Sequence, residues 1–267
     1  MSDDFPDDLA PRQGGPGARL DPQAAARQAQ CGALPRRFYE RATIEPRDEG
    51  FVLTLDARPA RTPGRNPLAA PTRALGEAIA AEWAAQGETI DPGSMPLTRI
   101  ANSALDGVAR EREAVLAEIA KYAGSDLVCY RAAEPERLVA AQNEAWEPVL
   151  AFARERLDAR FALAEGVMFV AQPPEAIAAV EARLARETCP FRVAALHVMT
   201  TLTGSALIAL AAADGALDGE TAWRAAHVDE ITQESFWGAD EQALARRAAR
   251  KREFNAALAV YALAGEN

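Results

Sequence analysis

The hydrophobic periodicity of this chain changes once, near Pro71, and this change limits the folds that the chain can adopt. Before it, FYERATIEP and GFVLTLDARPART roughly alternate apolar and polar residues, as half-buried strands do. After it, apolar residues such as Leu75, Ile79 and Trp83 recur at helical spacing. Strands followed by helices favour an α+β fold. We therefore predict a small antiparallel β-rich domain over residues 36–70 and a larger, mainly α-helical domain over residues 71–267.

Residues 1–35 precede both predicted domains and differ from them in composition. They are rich in Pro, Gly, Ala, Gln and Arg and hold few large apolar residues. Such a segment buries too little apolar surface to offset the entropy of ordering. We predict that it is disordered.

Charge, cysteine content and apolar runs limit both the partners and the cellular compartment that we expect for the chain. The formal net charge is −10 and the pI is about 4.9, whereas duplex nucleic acid is bound by basic faces. The three cysteines, Cys31, Cys129 and Cys189, form no CxxC pair, which favours a reducing compartment. No apolar run is long enough to cross a membrane, and the acidic start MSDDFPDD is unlike a signal or transit peptide. We expect a cytoplasmic protein that binds neither nucleic acid nor membrane.

Motifs of enzymes and metal sites are scarce in the sequence. His197 and His227 have no second histidine at i+3 or i+4, so an ordinary zinc site is not predicted. Cys129 has apolar neighbours, which favour an inert buried thiol over a nucleophile. Ser205 lacks the GxSxG elbow, and neither GxxxxGK[ST] nor GxGxxG occurs. We therefore predict no metal and no cofactor.

The segment VDEITQESFWGADEQ, residues 228–242, concentrates five carboxylates, two glutamines and two aromatic residues. It continues a helical segment that begins at Gly219 and ends at Gly238, which places its acids in the last turns. Acids there oppose the helix dipole, so a purpose other than helix stability is indicated. The alternatives are a solvated face paired with arginines such as Arg224 or those of RRAARKR, acid/base chemistry, and partner binding. Trp237 is either an anchor for a partner or a core residue.

Several ordered motifs give the chain a specific resemblance. They are RRFYE, LDARPARTP, LAAPT, IAAEWAAQGETIDPGSMPLTRIANSALD, YAGSDLVCYRA, LVAAQNEAWEPVLAF, TGSALIALA and the final Q...WGAD. Together, over residues 36–250, they resemble the chaperone family that assembles the F-one sector of ATP synthase, in the branch that binds the α subunit. The most specific parts are EW..Q, the MPLT loop at residues 95–98 and Q...WGAD.

The resemblance implies a fold and a function. Family members have a small β-rich N-terminal domain and a larger helical domain, are not enzymes, and use no cofactor. They bind unassembled α subunit, shield it from aggregation and give it up to the β subunit. Bacterial members are cytoplasmic and eukaryotic ones lie in the mitochondrial matrix. We expect this chain to act likewise, as a monomer that binds its partner transiently.

The resemblance also implies which residues matter. A glutamate important for activity precedes the WG pair, and it matches Glu230 here, or Asp229 if the register shifts by one. With their helical neighbours Gln233, Glu234 and Trp237, these residues form the predicted partner-binding site. The MPLT loop either joins the two domains or touches the partner, and Ala57 stands in a hairpin turn where glycine is common. Two alternative functions are a carboxylate-dependent hydrolase and a permanent structural subunit of a larger complex.

Overall fold

The strands before Pro71 form one antiparallel sheet. The computed structural model describes residues 34–166, 168–238 and 240–265. Strand β1 (Ala42–Arg47) pairs with β2 (Gly50–Leu55) from Ala42 opposite Leu55 to Arg47 opposite Gly50. The other edge of β2 pairs with β3 (Arg58–Pro59) and β4 (Ala69–Ala70). The predicted small antiparallel sheet is thus confirmed, with four strands.

The β2–β3 hairpin turns at Asp56 and Ala57, which both have positive φ, at 47° and 62°. A left-handed conformation costs a non-glycine residue about 1 kcal/mol, because Cβ crowds the following carbonyl. Ala57 is exposed, so no packing is lost when its methyl group is removed. We predict that Ala57→Gly raises the free energy of unfolding by about 0.5–1 kcal/mol in urea titration. The same change at Ala81, in a regular helix, should lower it, and a destabilised Ala57→Gly variant would contradict this account.

The first helix, α1 (Arg73–Ala84), packs on β1 and β2 and is linked to the next helix by its own carboxylate. Glu82 accepts hydrogen bonds from the backbone N–H groups of Leu97 (2.7 Å) and Thr98 (2.8 Å) and from the Thr98 hydroxyl (2.8 Å). These donors begin α2 (Pro96–Ser103), where backbone N–H groups lack intrahelical acceptors. Met95 and Thr98 are buried. The MPLT loop thus ties α1 to α2, which both lie in the predicted helical domain; its two predicted roles, joining the domains and touching the partner, stay predictions.

The rest of the described chain is mostly helical. A π-helical turn (Ala104–Val108) connects α2 to the next helix, and a two-stranded parallel ladder joins Tyr130–Arg131 (β5) to Ala164–Glu165 (β6). The remaining helices are α3 (Ala109–Ala123), α4 (Glu136–Arg156), α5 (Pro174–Leu184), α6 (Pro190–Thr203), α7 (Ala206–Ala213), α8 (Gly219–Ala226), α9 (Val228–Trp237) and α10 (Glu241–Leu263).

The core of this helical part is built around α6 and α7. From Ala206 to Ala212 every residue of α7 is buried, as expected for a helix that is apolar all round. Helix α6 packs against α3 and α10, and α7 against α4 and α8. Asp126 supports α7 by accepting hydrogen bonds from the N–H groups of Leu207 (3.0 Å) and Val128 (3.3 Å). The predicted α+β fold, with a small sheet followed by helices, is confirmed.

The structure does not test two further sequence predictions. Most of the segment predicted to be disordered, residues 1–35, lies outside the described residues, and the domain boundary at residue 70 stays a prediction. Within residues 34–166, 168–238 and 240–265, no helix combines the length and the apolar character needed to span a membrane.

Candidate partner-binding surface

The acidic segment forms a helix of its own, and this corrects one prediction. The helical segment expected to run from Gly219 to Gly238 is broken at His227, whose φ and ψ are −124° and 24°. Asp229 and Glu230 therefore lie in the first turn of α9 and not in the last turns of a longer helix. Carboxylates in a first turn are stabilised by the helix dipole. The inference that these two acids oppose the stability of their helix was wrong.

His227 is the residue at which the helix breaks, and its surroundings explain why. The imidazole is buried and stacks on the indole of Trp223, with ring centroids 3.9 Å apart. Its Nδ1 lies 3.0 Å from the carbonyl oxygen of Trp223. Burial lowers the pKa of His227 below its usual value, although the carbonyl of Trp223 and the charge of Glu230 oppose this shift. His227 thus holds the α8–α9 junction and is not placed to contact a partner.

The lowered pKa of His227 predicts a pH dependence of stability. The unfolded chain binds a proton more readily than the folded chain, so the contribution of neutral His227 is fully present above pH ~6.5 and is lost as pH falls through the lowered folded pKa. We expect the unfolding midpoint of His227→Phe, which keeps the aromatic stack, to fall less between pH 7 and pH 5 than that of the wild type. Equal slopes for wild type and His227→Phe would contradict the assignment.

Asp229 faces inward, toward α4. Its Oδ1 accepts a hydrogen bond of 2.8 Å from Nε2 of Gln142, a residue that is 2% exposed. The other end of the same amide, Oε1, accepts from the backbone N–H of Ala132 at 2.8 Å. Gln142 therefore ties α9 to α4 and to the end of β5, and Asp229 serves this connection.

Glu234 is also engaged within the chain. Its two carboxylate oxygens accept hydrogen bonds of 2.7 and 2.6 Å from Nη1 and Nη2 of Arg247 on α10. Arg247 belongs to the RRAARKR run, so for Glu234 the alternative of pairing with a local arginine is the one the structure displays. This pair of parallel hydrogen bonds fixes the orientation of the Glu234 carboxylate relative to the Arg247 guanidinium. Together, Asp229 and Glu234 attach α9 to the helices on either side.

The different surroundings of Glu234 and Glu230 lead to a prediction about stability. Glu234→Gln removes the charge from a partly buried, two-pronged pair and should lower the free energy of unfolding by about 1–2 kcal/mol. Glu230→Gln changes an exposed side chain and should shift it by less than about 0.5 kcal/mol. Urea unfolding of both variants checks this, and a double-mutant cycle with Arg247→Met isolates the pair. Equal losses for the two glutamates would refute it.

The outer face of α9 carries Glu230, Gln233 and Trp237. They are spaced three and four residues apart, so their side chains lie on one side of the helix, and all three are exposed. Trp237 is 88% exposed, which excludes the alternative that it packs in the core of the free protein. Beside it Phe236 is 49% exposed and lies under the guanidinium of Arg137, whose Cζ is 5.0 Å from the ring centroid. We call Glu230, Gln233 and Trp237 the outer face of α9.

The five predicted site residues therefore separate into two groups. Glu230, Gln233 and Trp237 face solvent, whereas Asp229 and Glu234 hold the helix that presents them. Sequence reasoning included Arg247 in the RRAARKR run as a possible partner of the acidic segment, but it missed Gln142. Gln142 stood inside the quoted motif LVAAQNEAWEPVLAF, but nothing local connects it to a residue 87 positions away.

The described residues also bear on the rival chemistries. Cys129 is fully buried, and desolvation together with the nearby Asp126 carboxylate raises the pKa of its thiol to about 12, which keeps it protonated. A hydrolase would need Glu230 to converge with a second acid in a pocket, yet Glu230 is exposed and its neighbours Asp229 and Glu234 are engaged elsewhere. Across the described ranges, no cluster of three or more His, Cys, Asp or Glu side chains could hold a metal ion.

Comparisons with known proteins agree with the resemblance. Residues 36–154 match the family model described as ATP12 chaperone protein. The structure is similar to that of a candidate chaperone from Agrobacterium tumefaciens, with 47% identity, a TM-score of 0.84, and 92% of each chain covered. It is also similar to Atp12 from Paracoccus denitrificans, with 41% identity and a TM-score of 0.81 over 86% of this chain and 99% of that chain. A lysine-for-aspartate variant of the Paracoccus protein matches with 40% identity and a TM-score of 0.80, over 86% of this chain and 98% of that chain.

Proposed function

This chain belongs to the ATP12 chaperone family, and from this membership we propose that it binds the unassembled α subunit of ATP synthase. In this proposal it prevents aggregation of that subunit and hands it to the β subunit during assembly of the catalytic sector, without turnover and without a cofactor. We further propose that it acts as a monomer in the cytoplasm, in keeping with the bacterial origin of the matched structures.

The observation that carries this proposal is the outer face of α9. A tryptophan that is 88% exposed leaves a large apolar surface in water, and such side chains are enriched where proteins bind one another. Glu230 lies on the same side of the helix, so one contact can combine an aromatic anchor with a negative charge. We propose that Trp237 enters an apolar site of the α subunit and that Glu230 meets a basic side chain beside it.

The way α9 is held supports this role. The Gln142–Asp229 hydrogen bond and the Glu234–Arg247 pair fix the helix on both sides, so the outer face is already ordered before a partner arrives. A pre-ordered surface loses less entropy on binding than a mobile one. Asp229 and Glu234 therefore contribute to partner binding through their support of Glu230, Gln233 and Trp237.

The overall charge of the chain supports the same partner chemistry. A net charge of −10 steers association toward basic surfaces and raises the association rate at low salt. An interface meant to be released need not bind with high affinity, because buried area and affinity are separate quantities. Competition by the β subunit for the same surface of the α subunit would then suffice to displace the chaperone.

An aggregation assay tests the proposal. Purified α subunit from the same organism is held at mildly elevated temperature without ATP, with or without this protein at equal molarity, and light scattering is recorded. We expect scattering to be suppressed for the α subunit and unchanged for an unrelated aggregating protein. Unchanged scattering of the α subunit would remove the proposed function.

A further inference from the structure

Three large apolar side chains are exposed in the segment between α4 and α5. Leu163 is 50% exposed, Met168 74% and Phe169 72%. We call these three side chains the apolar triad. Large apolar side chains left this exposed within one short segment make that segment a candidate contact site, because exposed apolar patches mark places where proteins bind one another. Methionine and phenylalanine together suit a surface that adapts to an irregular apolar partner.

The base of this segment is fastened by a buried glutamine. Gln172 is 9% exposed, and its Oε1 accepts the backbone N–H of Ala162 at 2.8 Å while its Nε2 donates to the carbonyl of Ala162 at 3.0 Å. The side chain thus mimics a strand partner and brings the two ends of the segment together. The side chains of the triad extend into solvent from this fastened base.

The segment is also connected to the support of α9. Strand β6 pairs with β5, and the N–H of Gly166 donates to the carbonyl of Arg131 at 2.9 Å. The guanidinium of Arg131 in turn donates to the carbonyl of Gln142 at 3.0 Å, and the side chain of Gln142 donates to Asp229. Only β5 therefore stands between the segment that carries the triad and the turn of α4 that holds α9.

The size of a specific interface requires contacts beyond α9. Stable protein interfaces bury roughly 800 Å² on each partner, whereas even a large aromatic side chain contributes only about 150–250 Å². The outer face of α9 therefore supplies only part of such an interface. The triad is apolar and exposed, its segment is linked through β5 to the turn of α4 that holds α9, and Glu165 in the same segment is a further exposed carboxylate.

We propose that Leu163, Met168 and Phe169 form a second contact for the same unassembled subunit, and that they cover an apolar strip of its assembly interface bordered by basic residues. This inference rests on the proposed function and extends the partner surface beyond α9. It adds an apolar contact to the one assigned to Trp237, and the charged part of the contact stays with Glu230.

Photo-crosslinking tests the contact directly, and Phe38 offers a matched control. Phe38 is 73% exposed, nearly the same as Phe169, but lies just before the N-terminal sheet. A photoreactive benzoylphenylalanine is placed at position 169 or at position 38, and each protein is irradiated with purified α subunit. We expect a heterodimeric crosslink from position 169 and little from position 38. Crosslinks from position 169 only to a second copy of this chain, or none to the α subunit, would overturn the proposal.

A binding measurement complements the crosslink. The double variant Met168→Ser/Phe169→Ser should weaken the Kd for α subunit by about tenfold, while Phe38→Ser should leave it within about twofold. Unchanged binding by the double variant, or equal loss by Phe38→Ser, would overturn the proposal. Wild-type protein is measured first. If it does not bind the α subunit, the proposed function fails. If it binds and the double variant binds equally well, only this inference fails.

Discussion

Glu230→Lys should fold like the wild type and lose binding to the α subunit. The side chain is exposed in the first turn of α9, so reversing its charge costs the helix at most about 1 kcal/mol through the dipole. In the complex, the same change places a positive charge against the basic side chain that we assign to the partner. We expect the Kd to rise on the order of 100-fold, which corresponds to about 3 kcal/mol. Titration calorimetry measures the affinity, and circular dichroism with urea unfolding checks the fold.

A matched variant separates a specific contact from a change in net charge. Glu181→Lys reverses an exposed glutamate on α5, a helix that packs on α3, away from α9. It changes net charge by the same amount and should alter the Kd by no more than about threefold through long-range steering. If Glu230→Lys binds as tightly as Glu181→Lys, or if it unfolds, the assignment of Glu230 to the contact is wrong.

Trp146→Ala should cause the largest loss of stability among single substitutions near the site. Trp146 is fully buried in α4, with the guanidinium of Arg131 over its ring, the Cζ 5.0 Å from the ring centroid. Its Nε1 donates a 2.7 Å hydrogen bond to the carbonyl of Ala225, in the last turn of α8 where carbonyls lack intrahelical donors. Truncation leaves a cavity and removes this donor, and we expect a loss of about 3–5 kcal/mol. Chemical unfolding measures the change.

Trp146→Phe provides the control for the hydrogen bond. Phenylalanine keeps much of the apolar volume but cannot donate to Ala225, so its loss should be smaller, about 1–2 kcal/mol. Because Ala225 lies two residues before the junction at His227, both variants should also raise hydrogen exchange in α9. A variant Trp146→Ala with nearly wild-type stability would mean that this contact does not secure the α8–α9 junction.

The fold was largely predictable because its main signals are local. The change of periodicity near Pro71 separates the sheet from the helices. Gly50 ends the turn between β1 and β2, and Asp56 and Ala57 form the turn between β2 and β3, so both turns join residues that are close in sequence. The all-apolar run in α7 is likewise a local signal, typical of a helix buried on all sides. These features depend on residues that are close in sequence, so they can be predicted without knowing which distant residues come into contact.

The arrangement of the site was less predictable because it depends on contacts between distant residues. The break at His227 has no glycine or proline to mark it, and it arises where the imidazole stacks on Trp223 and is buried by the surrounding helices. The roles of Asp229 and Glu234 likewise follow from Gln142 and Arg247, which lie on other helices. The charge pattern places the acidic and amide residues of α9 on one short helix. It cannot tell the residues that hold the helix, Asp229 and Glu234, from those that face solvent, Glu230 and Gln233.

The most direct test of the account is to measure the mass of the complex by size-exclusion chromatography with multi-angle light scattering. This protein is mixed with purified α subunit, and β subunit is then added. We predict a one-to-one complex with the α subunit that disappears as α and β associate, which releases this protein as a free monomer. No complex with the α subunit, or a stable assembly that retains this protein together with α and β, would contradict the account.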